Sequence, residues 1–282
     1  MPDDTAGELP ADAARPPAVP AALRPVPFRG AGFRPQPLAI VGPAVFAALI
    51  LAWQLGCRYG VISPIALPAP SQVAGAFVDL VRSGTLWQHL AASLERLVVG
   101  WTLGTALGVA VGLSIGLFSL ARAGLMPLVS AIFPVPKIAL LPLFVIWFGT
   151  GEGSKIATIL FGAFFPTVIA TYGGVDSVDR GLIRMGQSFG LAWLSIVRKI
   201  IVPGALPAIL AGCRISVSIS IVLLVAAEMI GARYGIGAYI LEAGALFATD
   251  QLIAGVAILS VLGLAVGWLI GRAERRFLDW RT

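Results

Sequence analysis

LVVGWTLGTALGVAVGLSIGLFSLA, residues 97–121, runs from Arg96 to Arg122 without a charge. About 20 apolar residues in a helix cross the hydrocarbon layer of a bilayer, so this run is long enough to span one. Within it Gly100, Gly104, Gly108, Gly112 and Gly116 recur at every fourth position. On an α-helix that spacing makes a ridge without side chains, against which a neighbouring helix can pack closely. The Gly-x-Ser-x-Gly pattern at 112–116 lacks the strand–turn–helix setting and the base that a nucleophilic serine needs, and it reads as part of the ridge. Gly263, Gly267 and Gly271 repeat the device near the C-terminus.

Three further charge-free runs occupy 35–57, 156–175 and 251–271. Two more apolar stretches, 123–151 and 200–232, are interrupted by Lys137 and by Arg214 and Glu228. Together they predict an all-α, polytopic membrane protein with six transmembrane helices at about 38–57, 95–118, 125–148, 155–175, 207–231 and 251–271. The composition agrees: 58% of residues are hydrophobic, 12% are charged, and the mean hydropathy is +0.92. Residues 1–37 hold nine of the twenty prolines and cannot bury enough apolar surface to order themselves, which predicts a disordered cytoplasmic tail ahead of a transmembrane domain at 38–282. His89 is the only histidine, and Cys57 and Cys213 fall near opposite ends of different spans, so metal sites, disulfides and most acid–base relays are disfavoured.

Six spans put both termini on one side. Arg15, Arg24, Arg29, Arg34, Arg122, Arg180, Arg184, Arg198, Lys199, Arg272, Arg275, Arg276 and Arg281 all fall on the side of the termini, which the positive-inside rule makes cytoplasmic. Only Arg58, Arg82, Arg96, Lys155 and Arg233 fall on the other. The net charge of +6 is then a matter of membrane orientation and anionic lipid, and no nucleic-acid partner is needed to explain it. On the outer side, 67–84 reads as a surface helix capped by Ser71, with Val73, Phe77, Leu80 and Val81 on one face and Gly84 as its stop.

Charges inside a membrane point to functional sites. Lys137 lies in the proline-broken segment FPVPKIALLP, where it can face an anionic solute or bond carbonyls that the prolines have freed. Arg214 shares a helix face with Ser218, and Ser216 shares one with Ser220, so the fifth span is polar on more than one side. Glu228, near its outer end, suits a gating contact or a structural pair. These six residues are the candidates for a substrate path.

IRMGQSFGLAWLSIVRKIIVPGALP, residues 183–207, carries charges, glycines and prolines between two apolar runs. Gly190 ends one short helix. A second, amphipathic helix follows, with Ser195, Arg198 and Lys199 on one face, and Pro203 and Pro207 break the chain as it enters the bilayer. The expected product is a compact cytoplasmic protrusion over about 176–206.

These residues resemble the permease subunits of binding-protein-dependent ABC importers. Their hallmark is Glu-Ala-Ala, a glycine three residues beyond, and Ile-x-Leu-Pro after nine more. Gly190 and the run Ile200, Ile201, Val202, Pro203 fit that spacing, whereas Arg184, Met185 and Gly186 stand where Glu-Ala-Ala is expected. PVPKIALLPLFVIWFGTGEGSKI, PGALPAILAGCRISV and VLLVAAEMIGARYGIGAYILEA are similar to the branch that imports nitrate, taurine and aliphatic sulfonates. The resemblance implies a type I importer fold in the bacterial inner membrane. It implies coupling to an ATPase through Arg184, Met185, Gly186, Gly190, Ile200 and Pro203, a second copy of the permease, and a periplasmic binding protein that delivers a small anionic solute. ATP and Mg would belong to the ATPase, with no cofactor on this chain. None of the three lysines follows a glycine, so the chain has no Walker A phosphate loop. The reading from a different class is a self-sufficient secondary transporter driven by an ion gradient.

Overall fold

The computed structural model describes residues 40–278, which fold into helices joined by short turns. The proline-rich segment 1–37 lies outside the described residues. The helices are α1 (Val41–Arg58), α2 (Pro70–Arg82), α3 (Thr85–Leu117), α4 (Ser119–Ile132), α5 (Leu141–Phe148, entered through a 3-10 turn at Lys137–Leu140), α6 (Glu152–Asp176), α7 (Arg180–Ser188), α8 (Trp193–Ile196), α9 (Val202–Met229), α10 (Ile236–Ala245) and α11 (Thr249–Leu278). Two compact units divide the chain at Leu49 and Ile50, within α1, and apart from the first half of that helix all features discussed below lie in the second.

Five helical stretches are long and apolar enough to cross a membrane: α1, α3, α6, a continuous Trp193–Met229, and Thr249–Arg276 of α11. The span expected at 125–148 is instead a broken pair, α4 and Lys137–Phe148, meeting at 92°, and counting it as one crossing gives six. Pro134 and Pro136 account for the break. Each lacks a backbone N–H to donate to the helix; Phe133 still has helical dihedrals, and the chain is extended by Pro136, at φ −63° and ψ 110°.

The surface helix α2 forms close to where the sequence places it, but its cap differs. Ala69 is the N-cap, and Pro70 takes the first helical position, where its missing N–H has no intrahelical partner to lose. Gln72 Oε1 accepts from the Ala69 N–H at 2.9 Å. Ser71 turns instead to Gln54, its N–H donating to Gln54 Oε1 at 3.1 Å and its hydroxyl accepting from Gln54 Nε2 at 3.2 Å. Of the expected apolar face, Leu80 is buried and Val81 packs beside it, while Phe77 is exposed. At Gly84, φ is +77°, and the chain turns directly into α3, which therefore starts at Thr85 and not near 95.

α6 lies between α3 and α9. The glycine ridge of α3 is what lets it approach α6. A Cβ at Gly104 would stand 2.5 Å from the Leu160 carbonyl oxygen, one at Gly108 2.8 Å from Thr167 Cβ, one at Gly112 2.7 Å from Thr171 Cβ, and one at Gly116 2.6 Å from Val175 Cγ1. No real Cβ tolerates such separations. On its other side α6 meets α9 in the same manner: a Cβ at Gly174 would be 2.8 Å from Ala208 Cβ, and one at Gly212 2.3 Å from Ala170 Cβ. Thr158 and Thr167 of α6 are fully buried and return their hydroxyls to carbonyls of their own helix, Ser154 O at 2.7 Å and Ala163 O at 2.8 Å. The second expected ridge does not serve this purpose within the chain. Gly267 has nothing within 4 Å of its Cβ position, and the nearest atom to that of Gly263 is 3.9 Å away. The same spacing packs a helix only where a partner helix lies on that side.

The two ridges give a paired test. Gly108→Leu should destabilise the folded chain by at least about 1–3 kcal/mol through overpacking, because backbone on α6 blocks any local adjustment. Gly267→Leu should leave the same chain unchanged to within about 0.5 kcal/mol. Thermal unfolding of both variants in detergent makes the comparison, and equal losses would refute the assignment of the ridge to α3 and α6.

Candidate functional site

At one end of the bundle the short helices α7 and α8 connect α6 to α9. Asp179 caps α7, accepting from the Gly181 N–H at 2.7 Å. The helix ends in a Schellman motif: Gly190 adopts φ +69°, its N–H donates to Gln187 O at 3.0 Å, and the Leu191 N–H donates to Gly186 O at 3.0 Å. Gly190 is thus the stop that the sequence predicts. Gly186 is buried, with its Cβ position 3.0 Å from Ile200 Cδ1, which joins the start and the end of the family signature in one contact. Arg184 and Met185 are exposed. Met185 belongs to an apolar stripe with Leu182 and Phe189, exposed at 46%, 51% and 77% for Leu182, Met185 and Phe189.

Beyond Gly190 the structure corrects the sequence reading. Pro203 and Pro207 do not break the chain. α8 continues into α9 through a π turn at Val197–Ile201, in which the Val202 N–H bonds Val197 O five residues back. The wider turn accommodates the ring of Pro203, and Pro207 is carried inside α9. Ile196, Val197 and Ile201 are buried against Val175, Val178, Ala205 and Ile209, while Arg198 and Lys199 are exposed and Ser195 is half-buried, as the amphipathic reading requires. Ile200 and Pro203 are half-buried.

The six candidates for a substrate path fall in different places. Ser216, Ser220 and Glu228 are fully buried, whereas Arg214 and Ser218 lie on the exposed face of α9. Ser216 accepts from Trp101 Nε1 at 2.9 Å and donates to Cys213 O at 2.9 Å. The Ser220 hydroxyl has no partner among the described residues. Ser218 donates to Arg214 O at 3.2 Å, and Arg214 pairs with Glu274 of α11. Lys137 is half-buried at the bend before α5. Its ammonium donates to Phe133 O and lies 4.7 Å and 5.8 Å from the ring centroids of Phe133 and Phe165.

At the opposite end of the bundle, Glu228 belongs to a buried polar cluster that unites α3, α6, α9 and α10. Its carboxylate accepts from Arg96 Nη1 at 2.8 Å, from the Ser93 hydroxyl at 2.8 Å and from the Gly237 N–H at 2.9 Å. Arg96 also donates to Glu152 at 2.7 Å and to Tyr234 O at 2.6 Å. Ser93 accepts from the Ile236 N–H at 2.9 Å, and His89 Nδ1 lies 3.0 Å from the Gly235 nitrogen and 2.8 Å from its oxygen. Gly235 has φ +145°, and a Cβ there would stand 2.5 Å from the Glu228 carboxyl carbon, so a side chain would be strained and would also collide with the cluster. Lys155 caps the turn before α6, donating to Thr150 O at 2.8 Å and Gly151 O at 2.9 Å. Of this cluster the sequence singled out Glu228 alone. Arg96 and Lys155 stood as loop charges, yet His89, Ser93 and Arg96 recur at helical spacing, and that polar stripe was the available signal.

The described residues thus form an all-helical bundle tied by buried charges at one end and presenting a capped, apolar-striped helix at the other. The chain belongs to the binding-protein-dependent transport system inner membrane component family, whose model matches residues 104–279. It is 37% identical over 236 residues to the putative aliphatic sulfonates transport permease protein SsuC of Bacillus subtilis (strain 168), covering 84% of this chain and 86% of that one. It is 38% identical over 239 residues to the taurine transport system permease protein TauC of Escherichia coli (strain K12), covering 83% and 87%. Among solved structures, the MetNI methionine ABC transporter in an inward-facing conformation matches in fold with a TM-score of 0.59 at 22% identity, covering 68% of this chain and 96% of that one. The chain is therefore a transmembrane permease subunit of an ABC import system with the type I fold, and the secondary-transporter alternative falls away.

The buried cluster makes a graded prediction. Arg96→Met leaves Glu228 charged and unpaired where no water reaches it, which should cost about 3–5 kcal/mol. Glu152→Gln should cost less than about 1 kcal/mol, since the Glu152 side chain is 59% exposed. Adding Glu228→Gln to Arg96→Met should recover part of the loss. Chemical unfolding in detergent ranks the three variants, and a larger effect for Glu152→Gln than for Arg96→Met would overturn the order.

Proposed function

We propose that this permease forms the translocation path for a small organic anion bearing a sulfonate group, and that a separate cytoplasmic ATPase drives it by docking on α7. The observation that carries the reading is the exposed stripe of Leu182, Met185 and Phe189, held rigid by the Asp179 cap and the Gly190 stop. An apolar stripe presented on so fixed a helix fits a protein groove. A cytoplasmic position for this end of the bundle is supported by its cations, Arg122, Arg180, Arg184, Arg198, Lys199, Arg272, Arg275 and Arg276. At the other end Arg96 and Lys155 are buried, so fewer cations than the sequence count suggests face solvent there. That asymmetry favours cytoplasmic termini. A binding protein would deliver the solute to the α10 end, and a second permease copy would complete the path. ATP and Mg would be handled by the ATPase.

The sulfonate class rests on the relatives named for aliphatic sulfonates and taurine. Lys137 suits the counter-charge role, since the prolines break the helix around it and its one hydrogen bond among the described residues goes to Phe133 O. Reconstituted vesicles carrying the permease, its co-expressed ATPase and binding protein should import taurine only when all three are present, and the purified permease alone should turn over no ATP. Lys137→Ala should lower uptake several-fold without loss of the ATPase. Arg184→Glu should weaken ATPase co-purification, with recovery when an acidic groove residue of the ATPase is reversed, whereas Gly190→Trp should uncouple irrespective of partner charge. Uptake of a neutral solute in place of any sulfonate would refute the substrate class. Unchanged coupling in Arg184→Glu would remove that side chain from the docking contact.

A further inference from the structure

The first turns of the α8–α9 helix combine two features that neither packing nor ATPase docking uses. Ser195, Arg198 and Lys199 share one face at spacings of three and four residues and line a groove of about 590 Å³ with Ala192 and Leu194. Arg198 and Lys199 enter no ion pair among the described residues. Beside them Trp193 and Leu194 are exposed at 54% and 57%, and the Trp193 ring lies 5.6 Å from that of Phe118, itself 50% exposed. The helix they open is the continuous apolar stretch Trp193–Met229, so this turn stands where the chain enters the bilayer.

We infer that the groove is a binding site for an anionic phospholipid, with the headgroup phosphate held by Arg198, Lys199 and the Ser195 hydroxyl and the acyl chains lying on Leu194, Trp193 and Phe118. A guanidinium and an ammonium on one helix face match a phosphodiester, and the guanidinium can give two parallel N–H donors to its oxygens. Tryptophan suits the boundary, its ring facing hydrocarbon and its N–H facing water. The opposite face of the same turn, Ile196, Val197 and Ile201, is already committed to the bundle. A protein partner is the weaker match, because the apolar stripe offered to one lies on α7, on the far side of the Gly190 stop. The bound lipid would brace the π turn that links α8 to α9.

The test uses the permease with its co-expressed ATPase in nanodiscs, with phosphatidylglycerol titrated into phosphatidylcholine and retained lipid counted by native mass spectrometry. Each basic residue near an anionic surface is worth about fivefold in affinity, so Arg198→Gln/Lys199→Gln should bind phosphatidylglycerol about 30-fold more weakly than the parent. Arg198→Gln alone should lose about fivefold, and the charge-keeping swap Arg198→Lys/Lys199→Arg should retain most of the preference. Equal retention of phosphatidylglycerol by parent and double variant would overturn the site. Loss of the ATPase from the double variant in pure phosphatidylcholine would also overturn it, by assigning the two cations to the protein partner.

Discussion

The closeness of α3 to α6 is the constraint from which the rest of the bundle follows. In hydrocarbon there is no hydrophobic gain from bringing two apolar helices together, so association depends on dispersion contacts and on the few polar bonds that close approach permits. The glycines of α3 allow that approach along four turns, and α6 repeats the arrangement with α9 through Gly174 and Gly212. With three helices fixed at backbone contact, Glu152 at the start of α6 and Glu228 near the end of α9 both come within bonding distance of Arg96 of α3. A looser packing would leave a charged side chain stranded in the interior, at a cost of several kcal/mol.

The cluster around Glu228 also shows how a short extramembrane turn can be made rigid without a large core of its own. The turn between α9 and α10 offers Tyr234 O, Gly235 and the N–H groups of Ile236 and Gly237, and each finds a side chain of α3 or α9 as its partner. Those partners satisfy buried backbone groups at the start of α10 that its own helix cannot reach. The two ends of the bundle thus differ in kind. One is locked by buried charge, and the other presents α7 on a glycine stop with its apolar stripe open to solvent.

Much of this was legible in the sequence because membrane helices must satisfy their own backbone and so announce themselves by length and apolar content. The α3 ridge, the Gly190 stop and the polar face at Ser195, Arg198 and Lys199 were read from spacing alone. Three features were not. A proline reads as a break, yet Pro203 and Pro207 sit inside a continuous helix while Pro134 and Pro136 lie at a bend of 92°. The π turn precedes Pro203, but Pro207 lies in regular α-helix, as Pro127 and Pro166 do in α4 and α6, so a proline alone does not decide a break. Gly263 and Gly267 have the ridge spacing but no helix against them, because a pattern shows what can pack and not what is present to pack. Arg96 looked like a loop cation because its partners are distant in sequence, Glu152 and Glu228, and only the fold brings them together.

The π turn at Val197–Ile201 has a consequence for how this segment can change over evolutionary time. A π turn is an α-helix with one residue added, so deleting any residue there would restore regular geometry at no cost in backbone hydrogen bonds. The wide turn takes up that residue within itself, so the faces on either side, with Ile196 and Val197 on the core and Gly186 on Ile200, keep their register across it. A residue added to the regular helix beyond it would have no such outlet and would rotate everything upstream by about 100°, the angle of one residue about a helix axis. The π turn is therefore a place where this segment can lose a residue and keep its faces.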